Sequence, residues 1–148
     1  MVKPLELTIN TEPHAKARAR TSWRNGKVHS YTPDSTQEAE AFIKDFIIPY
    51  NQYRFPEHIA LKVTLLFFRT KSKWQPKRVS KPYIKSDIDN YIKLAIDAIT
   101  KKHTKKGIPE DNNYLIKDDA QITSLIGKKR WTKDFPYIKI VIEEDLDE

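Results

Sequence analysis

The sequence predicts an α+β fold, a small single domain in which a mixed or antiparallel β-sheet is flanked by two main α-helices. The 148 residues are the size of one domain, and 39% of them are hydrophobic, which is enough for one core. Along the chain, apolar residues switch between strand-like and helix-like spacing. We therefore expect one domain over residues 1–148, with 143–148 as an acidic tail that need not be ordered.

Strands are predicted where apolar and β-branched residues alternate or run together without helical spacing. Residues 13–33 carry five bases and no acid, and the Asn25-Gly26 pair within them predicts a turn, so we expect a basic hairpin-like loop there. The predicted strands are residues 5–9, 59–68, 121–131 and 137–143.

Two helices are predicted from apolar residues at helical spacing. The first opens after Thr32, which we expect to cap it, and stops at Pro49. The second covers residues 86–101 and opens with a capping box formed by Ser86 and Asp89. The apolar faces of these helices are candidates for a dimer interface as well as for the core.

Charge is the strongest indication of a partner. The chain has 27 basic and 20 acidic residues, a net charge of +7, and five of the acids lie in residues 143–148. The remaining chain is therefore more basic than the average, which favours a polyanion such as nucleic acid. The absence of Cys excludes disulfides, thiolate metal sites and Cys nucleophiles. Without a membrane-length apolar run or a signal-peptide pattern, we expect a soluble cytoplasmic protein with no membrane partner.

Two acidic pairs stand in this basic sequence. Because residues two apart do not share a helix face, a common site for Asp87 and Asp89 requires Asp87 to precede the helix. Together with Asp118 and Asp119 they would form a carboxylate cluster for one or two divalent cations, which activate water and clamp a phosphodiester. The alternative is that the first pair satisfies backbone N–H groups at the helix start and the second is simply solvated.

Lys93 lies one helical turn from Asp89 and one turn from Asp97. Ion pairs along the helix surface are one explanation for this spacing. The other is that the Lys93 ammonium contacts the reacting phosphate or the leaving oxygen, where positive charge stabilises the transition state.

Three segments resemble a known family. Residues 86–93, SDIDNYIK, followed by AIDA at 95–98, resemble the D-x-D-N-x-x-K-x-x-x-D-A-L helix of RusA-like Holliday junction resolvases. Residues 117–122, KDDAQI, resemble their D-D-x-Q-V segment, and residues 13–20 resemble their basic P-x-x-K-x-R-P-R stretch. The resemblance spans about residues 5–142, although Ala19 replaces the usual Pro and residues 101–117 form a longer loop.

The resemblance implies a RusA-like fold and a homodimeric endonuclease that uses Mg²⁺, with Mn²⁺ as a substitute, and no nucleotide cofactor. Such enzymes nick two opposed strands of a four-way DNA junction in recombination and repair, and the chain is expected to be bacterial or prophage-encoded. Asp87, Asp89 and Asp119 match the essential carboxylates, and Lys93 matches the catalytic lysine. With Asp118, the three carboxylates are the expected metal ligands.

A second acid-free stretch, residues 69–86, carries seven bases. DNA contacts are expected from this stretch and from residues 13–33, because lysine and arginine neutralise phosphates and aromatic rings stack on bases. Two rival functions stay open: a metal nuclease for flaps, forks or RNA, and a non-catalytic module that binds junction DNA. The predicted DNA-binding residues are Lys16, Arg18, Arg20, Lys73, Trp74, Lys77, Arg78 and Lys81.

Overall fold

The computed structural model describes residues 2–17, 20–31, 34–71 and 87–147. They form a mixed four-stranded sheet, a separate two-stranded hairpin and two α-helices, which confirms the predicted α+β class. No helix in these ranges is long and apolar enough to cross a membrane. The elements are β1 Leu5–Ile9, β2 Arg20–Arg24, β3 Lys27–Tyr31, α1 Asp34–Phe46, β4 Leu61–Thr70, α2 Ile88–Ile99, β5 Ile122–Thr132 and β6 Tyr137–Glu144, with 3₁₀ turns at Ile48–Tyr53 and Asp119–Gln121.

The strand order in the sheet is β1-β6-β4-β5. β6 is antiparallel to both β1 and β4, whereas β5 is parallel to β4. Because parallel neighbours need a crossover, α2 carries the chain from the end of β4 back to the start of β5. The start of α2 therefore belongs to one end of the sheet and the start of β5 to the other.

One face of the sheet is buried beneath both helices in a single core. Strand alternation produces this face, since every second residue of β4 and β6 is buried. Ile47 and the apolar face of α2 lie in this core, whereas Phe42 of α1 and the following Ile48 are 51% and 54% exposed. The helical core residues are Ile43, Ile47, Tyr91, Leu94, Ala95, Ala98 and Ile99.

Gly127 sets how closely α2 approaches β5. A Cβ atom at this position would overlap the side chain of Ile92, and it would come within 3.8 Å of Cδ1 of Ile88. A larger residue would therefore require the Ile92 side chain to shift.

The predicted hairpin and the first helix are confirmed with small differences. Asn25 and Gly26 join β2 to β3 with φ of 50° and 73°, the two positive values that a tight hairpin turn needs. α1 ends at Phe46, before Pro49, because the chain continues as a 3₁₀ turn with Pro49 near its start. The predicted cap, Thr32, lies outside the described residues.

The acidic end of the chain begins inside the sheet. Glu143 and Glu144 belong to β6, and the carboxylate of Asp145 accepts hydrogen bonds from the hydroxyls of Thr123 and Ser124 at 2.6 and 2.7 Å. These two hydrogen bonds lower the pKa of Asp145 from its ordinary value. Residues 143–147 are therefore tied to the sheet.

Candidate functional site

The first acidic pair lies where the sequence predicts, at the start of α2. Asp87 is the N-cap residue, with extended backbone angles of φ −73° and ψ 144°, and Asp89 lies in the first turn. The N-cap is therefore one residue later than the capping box with Ser86 would require, and Ser86 itself lies outside the described residues. The Asp87 side chain makes no capping hydrogen bond, and both carboxylates are exposed. Asp87 thus does not serve the capping role that offered an alternative explanation for it.

Lys93 does not form the ion pairs that its spacing allows. The lysine is exposed, and within the described part of the chain its ammonium has no acidic partner. Asp97, one turn further along, forms an ion pair with Lys16 instead. The Lys93 ammonium is therefore available to a ligand.

Lys16 is held against α2 by its backbone as well as its side chain. Its N–H donates to the backbone carbonyl of Asn90 at 2.9 Å, and the next N–H, from Ala17, donates to the hydroxyl of the buried Thr36 at 3.2 Å. This basic segment therefore runs along α2 and lies beside α1. Its predicted contact with DNA stays a prediction, since Lys16 is now paired with Asp97.

Two further cations surround Tyr91, which follows Asp87 by one turn of α2. The guanidinium of Arg69 donates to the Tyr91 hydroxyl at 2.9 Å, and Nζ of Lys129 lies 5.7 Å from the ring centroid. Arg69 also pairs with Glu12 at 3.1 Å. No local sequence signal marks Lys129, because its approach to α2 depends on the parallel pairing of β4 and β5.

The second acidic pair begins the 3₁₀ turn that leads into β5. Asp118 caps this turn: its carboxylate accepts from the N–H of Ala120 at 2.9 Å, and its own N–H donates to the side chain of Gln121 at 3.3 Å. The Gln121 amide also donates to the carbonyls of Pro56 and Ile59. The D-D-x-Q spacing therefore builds a turn and fastens it to the approach to β4.

Asp119 differs from Asp118 although the two are adjacent. The Asp119 side chain is exposed and has no hydrogen-bond or ion-pair partner among the described residues. The capping box accounts for Asp118 in structural terms, whereas nothing structural accounts for the Asp119 carboxylate.

A cleft of about 390 Å³ joins the second pair to the end of α2. It is lined by acids and bases together, which suits a phosphodiester neutralised by cations. Asp87, Asp89 and Lys93 are not among its lining residues, because they lie toward the other end of α2, whose 12 residues span about 18 Å. The charged lining residues are Lys16, Glu40, Asp97, Lys101, Lys102, Lys117, Asp118 and Asp119.

The predicted cluster of three or four carboxylates is not formed in the described part of the chain. No group of three or more His, Asp or Glu side chains there is placed to hold one metal ion. Mg²⁺, however, keeps several waters and is usually bound by one or two carboxylates together with substrate phosphates. The free carboxylates fit a cation shared with a bound phosphate, and they do not fit a closed metal cage.

Most of the predicted DNA-binding residues lie outside what the structure describes. For Arg20 the backbone is the first residue of β2, and its side chain is not described. Arg18, Lys73, Trp74, Lys77, Arg78 and Lys81 lie outside the described residues.

Comparison with known proteins identifies the family. The model of the endodeoxyribonuclease RusA family matches residues 10–143, nearly the whole chain. The chain belongs to the RusA endodeoxyribonuclease family. The matched range includes both acidic pairs, Lys93 and the cleft. In this RusA-family chain the first acidic pair and Lys93 lie at the start of α2 and within it, and the second pair lies at the turn before β5.

A curated relative of this RusA-family chain is the uncharacterized protein YqaN of Bacillus subtilis (strain 168). It is 27% identical over 153 residues, which cover 95% of this chain and 96% of the relative. The two proteins therefore correspond over almost their full lengths.

Proposed function

We propose that this chain resolves Holliday junctions: a Mg²⁺-dependent endodeoxyribonuclease that makes paired, symmetric nicks in a four-way DNA junction during recombination and repair. Membership of the RusA endodeoxyribonuclease family supports the reaction class. The observation that carries the proposal is that Asp87, Asp89, Lys93 and Asp119 are all exposed and have no side-chain partner in the described chain.

The partnerless side chains support the proposal because no hydrogen bond or ion pair of the described chain uses them, and only Asp89 has a further structural explanation, its place in the first turn of α2. Charged side chains of a helix start or a strand edge usually cap or form pairs. Here the nearby groups do so, as Asp118 caps a turn and Asp97 pairs with Lys16, while the four remaining side chains do not. They are the groups left to meet a substrate.

The chain's own residues have distinct roles in this proposal. The Lys93 ammonium stabilises the negative charge that develops on the phosphate or the leaving oxygen. Arg69 and Lys129, near the start of α2, attract the DNA backbone toward the first acidic pair. Lys16, held on α2, offsets the acidic end of the cleft.

Asp87 and Asp89 would hold one Mg²⁺ at the start of α2, and Asp119 would hold a second at the cleft, where Asp118 would join it only by giving up its cap. A bound Mg²⁺ would lower the pKa of a water and polarise the scissile phosphate. All these carboxylates are exposed, so waters and a substrate phosphate could reach a cation bound there.

We also propose a homodimer, because two identical subunits match the near two-fold symmetry of an open four-way junction. Ile47 and the apolar face of α2 are occupied by the core, whereas Phe42 and Ile48 remain exposed and are available to a second subunit. A bacterial or prophage-encoded cytoplasmic enzyme fits the relative from Bacillus subtilis.

The deciding experiment incubates the purified protein with end-labelled synthetic four-way junctions, with and without Mg²⁺. Linear duplex, flap and RNA hairpin substrates serve as matched controls. We expect paired nicks at symmetric positions that require Mg²⁺ and occur on the junction alone.

The rival functions give different results in the same assay. Preferential cutting of flaps or RNA would replace the junction by another substrate. Tight junction binding with no cut, across several divalent cations and junction sequences, would indicate a binding module and overturn the proposal.

A further inference from the structure

The connection from α2 to β5, residues 101–117, is longer than most loops that join a helix to a strand. Residues 103–109, which we name the basic tip, are exposed and include His103, Lys105 and Lys106 but no acid. The chain reverses at Gly107, whose φ of 91° suits glycine, and the N–H of Ile108 donates to the carbonyl of Lys105 at 3.1 Å.

The base of this loop is part of the core. Leu115 and Ile116 are fully buried, and both of their N–H groups donate to the carbonyl of Ile99 at the end of α2. The N–H of Lys101 donates back to the carbonyl of Ile116 at 2.9 Å. The two ends of the loop are therefore joined to each other and to α2.

A second anchor lies at Asp111, between the base and the basic tip. Its carboxylate accepts from the ammonium of Lys44 on α1 at 2.6 Å and from the N–H groups of Lys102 and Asn113 at 2.9 and 3.0 Å. Burial raises the pKa of Asp111, but these three donors together outweigh burial and lower it. The loop is thus fastened to α1 by a partly buried ion pair.

A third anchor holds residues 112–114 of the loop. Arg54 donates to the carbonyls of Tyr114 and Asn112 at 2.8 and 2.6 Å, and its guanidinium lies 3.7 Å from the Tyr114 ring centroid. The Asn113 side chain donates to the carbonyl of Lys44 and accepts from Asn51. None of these contacts involves a residue of the basic tip, so the cations of the tip are not used by them.

The anchored loop places the basic tip beside the second acidic pair. His103 and its neighbours Lys101 and Lys102 line the same cleft as Asp118 and Asp119. Lys101 and Lys102 have acidic partners, Glu110 at 3.7 Å and Glu40 at 3.4 Å, whereas Lys105 and Lys106 have none in the described chain.

We propose that the basic tip binds the sugar–phosphate backbone of a duplex arm leaving this cleft, with Lys105 and Lys106 as the contacting cations. Exposed cations fit phosphates, which need charge but no apolar pocket. Because the base and flanks of the loop are fastened to the core and to α1, less free energy is needed to order the loop on binding. The inference rests on the proposed function in that the substrate is DNA, and it assigns contact residues beyond those predicted from the sequence.

The test measures binding of the full-length protein to a four-way junction and to linear duplex without divalent cations, over a range of salt concentrations. Lys105→Ala with Lys106→Ala should weaken junction binding about tenfold and reduce the slope of log affinity against log salt by about 2. The matched control is Lys3→Ala with Lys128→Ala, which removes the same charge from exposed positions away from the basic tip.

Two anchor variants separate position from net charge. Asp111→Ala makes the protein more positive, so net charge alone would tighten DNA binding, whereas a released loop should weaken binding several-fold. Asn113→Ala loosens the loop without changing charge and should weaken binding in the same direction. Circular dichroism and thermal melts identify anchor variants that have lost structure. If an anchor variant has lost structure, the inference is judged from the Lys105→Ala with Lys106→Ala variant alone.

Equal affinity and salt slope for the lysine pair and its matched control would overturn the inference. That result is distinct from failure of the proposed function, which is read from the unmodified protein. If the unmodified protein neither binds nor nicks junctions, the proposed function fails. If it does both and the lysine pair behaves as its control, only the role of the basic tip is lost.

Discussion

Asp87 and Asp89 lie at the start of α2 much as Asp118 and Asp119 lie before β5, yet the backbone uses the two pairs differently. Asp118 closes a capping box with Gln121, whereas Asp87 occupies an N-cap position without a side-chain bond. An acid at the start of an element is therefore not evidence of capping by itself. The difference gives Asp118 a capping role and Asp89 a favourable place in the first turn of α2, and it leaves Asp87 and Asp119 without a structural partner in the described chain.

The largest expected effect comes from the partnerless carboxylates. Asp89→Asn should reduce junction cleavage by about 100-fold or more, because a neutral amide is a poor ligand for Mg²⁺. Junction affinity should stay the same or rise, since one negative charge facing the phosphates is removed. Nicking of end-labelled junctions and gel-shift titration measure the two quantities.

Asp119→Asn should likewise reduce cleavage by about 100-fold or more without weakening junction binding. The result would separate Asp119 from its neighbour Asp118, which caps the turn. A thermal melt serves as the control for both variants and should change little. If Asp89→Asn lost its fold instead, the helix-start explanation of that acid would be correct.

Lys93→Ala should have the next largest effect, with cleavage slowed about 10- to 100-fold. Junction affinity should change by less than about threefold, because one exposed lysine is a small part of the phosphate contacts. Single-turnover cleavage at saturating protein separates the two. A variant that only binds more weakly would make Lys93 a positioning residue for DNA.

The smallest effect is expected at Asp118 and falls on stability. Asp118→Ala removes the cap and should lower the free energy of unfolding by about 1 kcal/mol, which is about 3 °C in Tm. Asp118→Asn should retain most of that stability, because Asn also caps. Cleavage by Asp118→Asn should stay close to that of the unmodified protein.

The comparison between the pairs would be broken by one pattern of results. If Asp118→Asn lost cleavage as completely as Asp119→Asn with no change in Tm, Asp118 would be a ligand despite its cap. Differential scanning fluorimetry on the same samples as the cleavage assay provides this control.

Local signals predicted much of the fold. Asn25-Gly26 predicted the hairpin turn, since both positions need positive φ, and the run of Val, Leu, Ile and Phe over residues 59–68 predicted the buried strand β4. Helical spacing predicted that Tyr91 and Ala95 face the core. Asp87 was also expected to precede its helix if both acids served one site, as it does.

Other features depend on contacts between distant residues, which one sequence does not display. Asp97 pairs with Lys16 across 81 positions instead of with Lys93 four residues away. Asp111 draws the 101–117 loop onto Lys44, 67 positions earlier. Gly127 lies against Ile92 of α2, a contact that the sequence of β5 does not predict. The common carboxylate cluster was expected because the motifs were read together, and the crossover instead places their acids toward opposite ends of α2.

The sequence by itself determined the fold class, the basic character, the family and the residues with chemistry to offer. These follow from composition, periodicity and motif spacing, which are properties of short segments. Only the tertiary structure decided which acids are used for folding and which are left for a substrate. That division depends on which donors and cations the sheet and its crossover bring within hydrogen-bond distance, and no local pattern encodes those distances.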